Sequence, residues 1–325
     1  MIISLHNISK TFKIYKRNSG LKEAIKMLFS KSYQEIKALD NISFEVNQGE
    51  IVGYIGPNGA GKSSSIKIMC GILVPDFGEC KINGLVPWEN RISNSKNIGV
   101  VFGQRSQLWW DVPVIDSFEL LKKIYKIDKN LYGRNLYELV EILDIKSIVK
   151  IPPRQLSLGQ RMRCEFAASL LHNPKILFLD EPTIGLDASS KRVIREFIKK
   201  INKERKVTIL LTTHDMQDIE AVANRIILIV KGKILFNGSI NKFKKLVPND
   251  KIIKLKHNGK TLPENKYLKI VNVLENETHI IFNSDQIQIS EVIDYITQHT
   301  EIKDISINEF SIEDIVVQLY TEFKT

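Results

Sequence analysis

Short apolar runs alternate with helix-like segments throughout residues 1–240. Residues 51–55 and 176–179 are largely apolar and of strand length, which is typical of strands buried in a parallel sheet. Apolar residues recur at helical spacing in residues 136–143 and 193–201. This alternation predicts an α/β core that contains a parallel sheet.

The remaining residues, 241–325, predict a second, small α+β domain. Their charge is uneven, because residues 241–270 contain nine lysines and two acidic residues, whereas residues 271–325 contain two lysines and eleven acidic residues. We interpret the lysine-rich start as a solvated linker. The strand-like segments are 267–273, 279–282 and 302–307, and the helix-like segments are 287–296 and 311–320.

A basic insertion, residues 13–37, interrupts a predicted sheet near the start of the chain. It contains seven Lys or Arg residues against two Glu, and Leu21, Ile25 and Leu28 share one helical face. A basic amphipathic helix can lie on a membrane surface or dock on a partner protein. It can equally be a short surface helix that packs on its own domain, and the pattern leaves both alternatives open.

Composition narrows the class of protein. The net charge is +10, from 47 basic and 37 acidic residues. This charge is compatible with binding to nucleic acid or to an anionic membrane surface, and equally with no charged partner. No apolar run approaches the roughly 18 residues needed to cross a bilayer, and the first residues do not resemble a signal peptide. The three cysteines form no CxxC pair, so neither a zinc site nor a disulfide framework is indicated.

Residues 56–63 fit the phosphate-binding pattern GxxxxGK[ST], the P-loop, between an apolar strand and a helical pattern. Glycines let backbone N–H groups turn inward around phosphate oxygens, and the helix N-terminus adds partial positive charge. Lys62 is expected to contact the β- and γ-phosphates, and the Ser63 hydroxyl to bind Mg²⁺. The predicted ATP-binding residues of this loop are Gly56, Pro57, Asn58, Gly59, Ala60, Gly61, Lys62, Ser63 and Ser64.

The apolar run at residues 176–179 ends in two acidic residues, Asp180 and Glu181. A carboxylate at a strand tip beside a P-loop can hold Mg²⁺, usually through water, and Asp180 suits this role. Glu181 is then expected to act as the general base that takes a proton from the attacking water.

Residues 156–160 read Leu-Ser-Leu-Gly-Gln and precede a helix-like stretch that stops at Pro174. Ser157 is a suitable N-cap for that helix. Because this pentapeptide lies between a P-loop and the Asp180–Glu181 pair, it resembles the signature motif of ATP-binding-cassette (ABC) proteins. On these motifs, residues 1–240 resemble the ATPase of an ABC transporter.

The resemblance implies roles for further residues. Gln104 matches the glutamine that touches Mg²⁺ and the attacking water, and His214 matches the histidine that contacts the γ-phosphate. Phe12 matches the aromatic residue that stacks on adenine, with Tyr15 as the alternative, and Asp187 matches an aspartate near the dimer interface. The implied catalytic residues are Glu181, His214 and Gln104, and the implied Mg²⁺ ligands are Ser63, Gln104 and Asp180.

The resemblance also implies a fold and a mechanism. The fold would be a P-loop NTPase of the ABC ATPase type, with an antiparallel β subdomain, a RecA-like core and a helical subdomain, followed by the α+β domain. Two cassettes, identical or different, would pair head to tail, with each ATP between one P-loop and the other subunit's Ser157, Gly159 and Gln160. The dimer would power a separate integral membrane permease, so the chain is expected in the cytoplasm, peripheral on the inner face of the membrane.

Within the family, two segments are similar to ATPases of ABC-2-type exporters: the tryptophan-rich residues 101–111 and residues 305–315. The expected function is therefore export, and Trp109 and Trp110 are expected to lie on the surface that docks the permease. The alternative is that one of the two tryptophans caps the domain's own helical region.

The alternative is a soluble ABC-type ATPase that acts on nucleic acid or ribosomes, which the net charge of +10 would suit. Translation-type members usually carry two cassettes in one chain, whereas this chain carries one, and it lacks the long heptad insertions of chromosome-type members. No nucleic-acid partner is therefore expected. A steep salt dependence of DNA or RNA binding would favour the alternative.

Overall fold

The protein is described by a computed structural model that covers residues 1–15, 33–103, 105–213, 215–246, 250–258, 262–263, 265–274, 276–309, 315–316 and 319. The chain divides into two compact units, Met1–Gly238 and Ser239–Thr325, which are described separately.

The described part of the first unit alternates strands and helices. Its strands are β1 (Ile3–Tyr15), β2 (Tyr33–Val46), β3 (Ile51–Ile55), β4 (Phe77–Ile82), β5 (Ile98–Phe102), β6 (Ile176–Asp180), β7 (Thr208–Thr212), β8 (Arg225–Val230) and β9 (Lys233–Ser239). Its helices are α1 (Lys62–Met69), α2 (Arg91–Asn97), α3 (Val114–Tyr125), α4 (Lys129–Ile142), α5 (Leu158–Leu170), α6 (Ala188–Arg205) and α7 (Met216–Val222).

A six-stranded sheet in the order β5-β6-β7-β3-β8-β9 forms the centre of the described first unit. From β5 to β8 the neighbouring strands are parallel, and β3 and β7 are buried along their whole length. This confirms the predicted α/β core. Parallel strands end at the same edge of a sheet, so the residues that follow β3, β6 and β7 meet there.

The strands β1 and β2 form a longer hairpin than the sequence predicted. They belong to an antiparallel sheet of order β2-β1-β4, and their pairing continues from Phe12 opposite Ile36 to Tyr15 opposite Tyr33. The predicted insertion, residues 13–37, therefore begins and ends in strand, because aromatic and β-branched residues favour the extended conformation there. The predicted helix with Leu21, Ile25 and Leu28 lies outside the described residues.

Helix α5 begins at the Leu-Ser-Leu-Gly-Gln segment. Ser157 is its N-cap, as predicted: the Ser157 hydroxyl accepts from the Gln160 N–H at 3.2 Å, and the Ser157 N–H donates to Gln160 Oε1 at 3.0 Å. This reciprocal pair is a capping box, which satisfies donors that a helix start otherwise leaves unpaired. Its cap residue and the two residues that follow, Leu158 and Gly159, lie at or near the surface.

The second unit is an antiparallel sheet with a helix packed on it. The described strands β10 (Asp250–His257), β11 (Leu268–Leu274), β12 (Glu277–Asn283) and β13 (Ile302–Glu309) lie in the order β11-β12-β10-β13. The helices are α8 (Ile240–Lys244) and α9 (Ile289–His299), and α9 buries Val292 and Ile296 in the core of this unit. The second unit is therefore an α+β domain; most of the predicted helix 311–320 lies outside the described residues.

One expectation about this unit is wrong. The lysine-rich stretch interpreted as a linker contains β10, a central strand whose Ile253 and Leu255 are fully buried. Lysine alternates there with Ile and Leu, so one face of the strand is apolar and the other charged. This alternation of apolar and charged residues, with a period of two, predicts a strand. The high lysine content led to the interpretation as a linker instead.

The described residues contain neither a bilayer-spanning helix nor a disulfide. Among the described residues no helix combines the length and apolar character needed to cross a membrane. Cys70, Cys80 and Cys164 are free thiols, and burial raises the pKa of both Cys80 and Cys164 to about 12. These thiols are therefore protonated and unreactive near neutral pH.

Candidate nucleotide site

The P-loop joins β3 to α1 and closes tightly on its surroundings. A Cβ atom at Gly56 would lie 2.2 Å from the Ile229 carbonyl oxygen, and one at Gly61 would lie 2.5 Å from the Ala38 carbonyl oxygen. Gly61 also has a φ of 109°, a conformation that favours glycine. Only glycine fits these two positions, and the loop backbone therefore curls around the space in front of α1.

Lys62 points back into this loop. Its Nζ donates to the carbonyl oxygens of Gly56 at 2.5 Å and Pro57 at 3.1 Å, and the residue is only 6% exposed. Burial lowers the pKa of the Lys62 ammonium, whereas the negative charges of Glu181 and Asp180 act in the opposite direction. The loop thus holds a cation opposite two carboxylates, as a site for phosphate and a metal ion requires.

Two adjoining pockets bring most of the predicted site residues together. Phe12, which is 37% exposed, lines one of them with the P-loop and Glu181. Asp180 lines the other with Glu181, Ser63 and Asn58. The first pocket is lined by Phe12, Ala38, Pro57, Asn58, Gly59, Ala60, Gly61, Lys62, Ser63, Ser64 and Glu181.

Two predicted residues, Gln104 and His214, lie outside the described residues. Gly103 and Arg105, on either side of Gln104, border the pocket that Asp180 and Ser63 line. The side chain of Tyr15 is also not among those that the structure describes. Of the two aromatic residues proposed to stack on adenine, Phe12 is therefore the one whose side chain is seen at the P-loop.

Thr212, at the end of β7, orients both acidic residues. Its hydroxyl donates to Asp180 Oδ1 at 2.7 Å and accepts from the Glu181 N–H at 3.1 Å, while its carbonyl oxygen accepts from the same N–H at 3.0 Å. Glu181 has a φ of 54°, an uncommon value for a residue with a side chain. The hydrogen bonds from β7 hold this strained turn in place, which is a feature often found at functional sites.

A charged cluster supports the turn after Glu181. Asp218, fully buried at the start of α7, accepts from the Thr183 hydroxyl and from Arg195 Nε at 2.5 Å. Lys191 Nζ donates to Asp215 Oδ2 at 2.7 Å. Burial raises the pKa of Asp215, but the hydrogen bond and charge of Lys191 hold it below its ordinary value.

This cluster ties α6 to the segment between β7 and α7. Lys191 and Arg195 of α6 contact Asp215, the residue that follows the predicted histidine in sequence, and Arg195 also contacts Asp218 in α7. The sequence alone gave no reason to select Thr212, Asp218 or Arg195. The one available signal was a polar residue, Thr212, directly after the apolar residues 209–211.

The signature segment does not contribute to the pockets at its own chain's P-loop. Ser157, Gly159 and Gln160 are absent from the residues that line both pockets in the described structure. They lie instead near the start of α6, where a Cβ atom at Gly159 would meet the Ser190 side chain. Asp187 caps that helix, and hydrogen bonds from Ser189 and Ser190 lower the pKa of its carboxyl group.

The donor set fits ATP with Mg²⁺. A pocket lined by Gly59, Gly61 and the buried Lys62 suits phosphate oxygens. The Ser63 hydroxyl and Asp180 carboxylate are oxygen ligands of the kind that Mg²⁺ prefers. No group of three or more His, Cys, Asp or Glu side chains placed to hold a metal was found in the described part of the chain. A magnesium site here would therefore need phosphate or water oxygens as well, which is usual for this ion.

Comparisons with known proteins agree with this geometry. The ABC transporter family model matches residues 39–184. The chain is 34% identical over 223 residues to the "Probable multidrug ABC transporter ATP-binding protein YbhF" of Escherichia coli (strain K12), which covers 68% of this chain and 38% of that protein. It is 32% identical over 210 residues to the "Probable sulfate/thiosulfate import ATP-binding protein CysA" of Chlorella vulgaris, covering 65% of this chain and 88% of that protein.

A solved structure gives the same result for the fold. The dimeric structure of an ATP-binding cassette in a post-hydrolysis state, bound to ADP and Pi, matches with a TM-score of 0.60 and 27% identity, over 73% of this chain and 98% of that chain. The predicted P-loop ABC ATPase fold is confirmed. The chain matches only 38% of the length of YbhF, but most of CysA and of the solved cassette. The chain therefore belongs to the ABC transporter family and carries that family's ATP-binding domain.

Proposed function

We propose that this chain is the ATP-hydrolysing subunit of an ABC transporter. The observation that carries the proposal is the meeting of the P-loop with Asp180 and Glu181 at one edge of the parallel sheet. Residues 1–240 form the catalytic domain, and residues 241–325 form an accessory domain. The protein acts in the cytoplasm, bound to the inner face of the membrane through its permease.

The site residues have different roles in phosphoryl transfer to water. Lys62 and the P-loop N–H groups bind the phosphates, and Phe12 stacks on the adenine. Ser63, Asp180 and Gln104 would hold Mg²⁺, which would neutralise negative charge on the phosphate oxygens. Glu181 accepts the proton of the attacking water. His214 contacts the γ-phosphate.

Phosphate release by the purified chain is expected to require both ATP and Mg²⁺. Chelation with EDTA should stop release, and excess Mg²⁺ should restore it, because the phosphates are otherwise held by cationic and N–H groups alone. ATP with Mg²⁺ should also raise the melting temperature, since a ligand that binds the folded state stabilises it. Absence of both effects in a folded sample would contradict the proposal.

Two cassettes complete each site. Ser157, Gly159 and Gln160 lie at or near the surface, outside their own chain's P-loop pockets, at the start of a helix whose N–H groups suit an anion. In a head-to-tail dimer they contact the γ-phosphate that the partner subunit's P-loop holds. ATP binding closes this dimer and hydrolysis lets it open, which drives the permease between two states.

We propose export as the direction of transport. Residues 101–111 and 305–315 support this by their resemblance to ATPases of ABC-2-type exporters. The names of the two relatives differ on this point, since one is described as multidrug and the other as an import protein.

Trp109 and Trp110 support an external partner. They are 59% and 50% exposed, although tryptophan is usually well buried. Their described contacts include a hydrogen bond from the Trp109 backbone N–H to the Ser117 hydroxyl at 3.0 Å and one from the Arg154 N–H to the Trp110 carbonyl oxygen at 3.4 Å. The Arg161 guanidinium also lies 5.6 Å from the Trp110 ring centroid. Exposed tryptophans held in place in this way are suited to an interface.

Changing both tryptophans to alanine is expected to abolish co-purification with the permease. Each interface tryptophan is commonly worth about 2 kcal/mol or more of binding free energy. Because both rings are at least half exposed, the melting temperature and ATP affinity of the isolated subunit should not change. Tyr137→Ala, at an exposed aromatic residue of α4, is the matched control. A large fall in melting temperature would instead show that the tryptophans stabilise their own domain.

A further inference from the structure

Helix α5 contains a buried carboxylate with no part in the proposed chemistry. Glu165 is 3% exposed, and the side chains on either side of it, Cys164 and Phe166, are fully buried. Burying a carboxylate is costly unless strong hydrogen bonds satisfy it. Burial raises the pKa of Glu165, while hydrogen bonds from Ser106 and Gln107 act in the opposite direction.

The partners of Glu165 come from one short segment, residues 106–108. The Ser106 hydroxyl donates to Glu165 Oε1, and the Gln107 N–H donates to Oε2 at 3.2 Å. The Gln107 side-chain amide donates to the Glu165 carbonyl oxygen at 3.2 Å, and the Leu108 N–H donates to the Ser106 hydroxyl at 3.1 Å. Three consecutive residues are thus fixed to one turn of α5.

The same helix makes a second contact with the following residues. One turn towards its start, Arg161 lies against the ring of Trp110, with 5.6 Å between the guanidinium carbon and the ring centroid. Helix α5 therefore holds residues 106–110 at two points. This segment begins two residues after Gln104 in sequence and ends at the tryptophans, while α5 begins at Leu158, directly after its cap Ser157.

We propose that Glu165 is a positioning residue that fixes residues 106–110 to α5. It keeps residues 106–110, including the tryptophan pair, in a constant relation to the signature segment at the start of the helix. A displacement of α5 when Ser157 meets the partner subunit's nucleotide then moves the whole segment. This inference rests on the proposed function, because it assigns Glu165 a part in hydrolysis.

Glu165→Leu is expected to lower kcat for ATP hydrolysis about 10-fold or more while KM changes little, because the P-loop is untouched but residues 106–110 lose their contact with α5. Amide hydrogen exchange should become faster in peptides that cover residues 105–110 and stay unchanged in peptides that cover the P-loop. Glu165→Gln should restore both properties. Its amide oxygen can accept from the Gln107 N–H, and its NH₂ group can donate to the Ser106 hydroxyl.

Ser169→Ala is the matched control, because Ser169 is equally buried on α5 but its hydroxyl donates within its own helix, to the Phe166 carbonyl oxygen at 2.9 Å. It should behave as wild type. Ser106→Ala tests the same contact from the loop side, without a change in the core, if Glu165→Leu does not fold.

Unchanged kcat and unchanged exchange in Glu165→Leu and Ser106→Ala would overturn the inference. So would a loss of activity that Glu165→Gln fails to restore, since that would indicate a need for charge rather than for position. The exchange measurement does not require activity. An inactive wild-type chain would therefore contradict the proposed function and leave the exchange result to decide on the contact.

Discussion

Replacing Glu181 with glutamine is expected to leave ATP binding intact and to lower turnover by about 10²–10⁴-fold, the usual cost of losing a general base. Its backbone N–H donates two hydrogen bonds to Thr212, one to the carbonyl oxygen and one to the hydroxyl. Glu181 also lines both pockets, together with the P-loop in one and with Asp180 in the other. Glutamine keeps the shape of the side chain but cannot accept a proton. Steady-state phosphate release and ATP affinity measure the two parts of the prediction.

Glu196→Gln provides the control for this result. Glu196 is an exposed acidic residue on α6 that pairs with Arg192 on the surface, and an exposed pair of this kind contributes little to stability. The Glu196→Gln variant should hydrolyse ATP at the wild-type rate. Near-normal turnover of Glu181→Gln would remove Glu181 from the role of general base.

Adding Ser157→Arg to the Glu181→Gln protein is expected to abolish an ATP-dependent dimer. The slow variant should accumulate as a dimer when ATP is present, because ATP then remains between the two cassettes. A long cationic side chain at Ser157 would occupy the space needed by the partner subunit's P-loop and nucleotide. Light scattering with and without ATP measures the change in mass.

The controls for this prediction separate the interface from the helix cap. Ser157→Ala loses the cap, worth about 1 kcal/mol, but adds no bulk. Ser239→Arg places the same side chain at another capping serine, at the start of α8, where the hydroxyl accepts from the Lys242 N–H. Both variants should still dimerise with ATP. A dimer that persists in Ser157→Arg would contradict the head-to-tail arrangement.

Local patterns predicted the parts of the site that are contiguous in sequence. The P-loop, the Asp180–Glu181 pair and the Ser157 cap each depend on a few neighbouring residues between a strand and a helix. The prediction of a linker in the lysine-rich residues 241–270 failed at β10, because lysine count was given more weight than the alternation of Ile253 and Leu255 with lysine. Roles taken from resemblance alone, such as those of Gln104 and His214, remain predictions.

The sequence by itself indicated the family, the alternation of strands and helices in residues 1–240, and a P-loop followed by the acidic pair Asp180 and Glu181. These follow from hydrophobic period and from short motifs, which are local properties of the chain. Only the tertiary structure identified Thr212, Asp218 and Glu165. Each acts on residues far along the chain: Glu165 contacts Ser106 across 59 positions, and Thr212 contacts Asp180 across 32. No local pattern encodes such pairs, because parallel strands and packed helices bring them together only after the chain has folded.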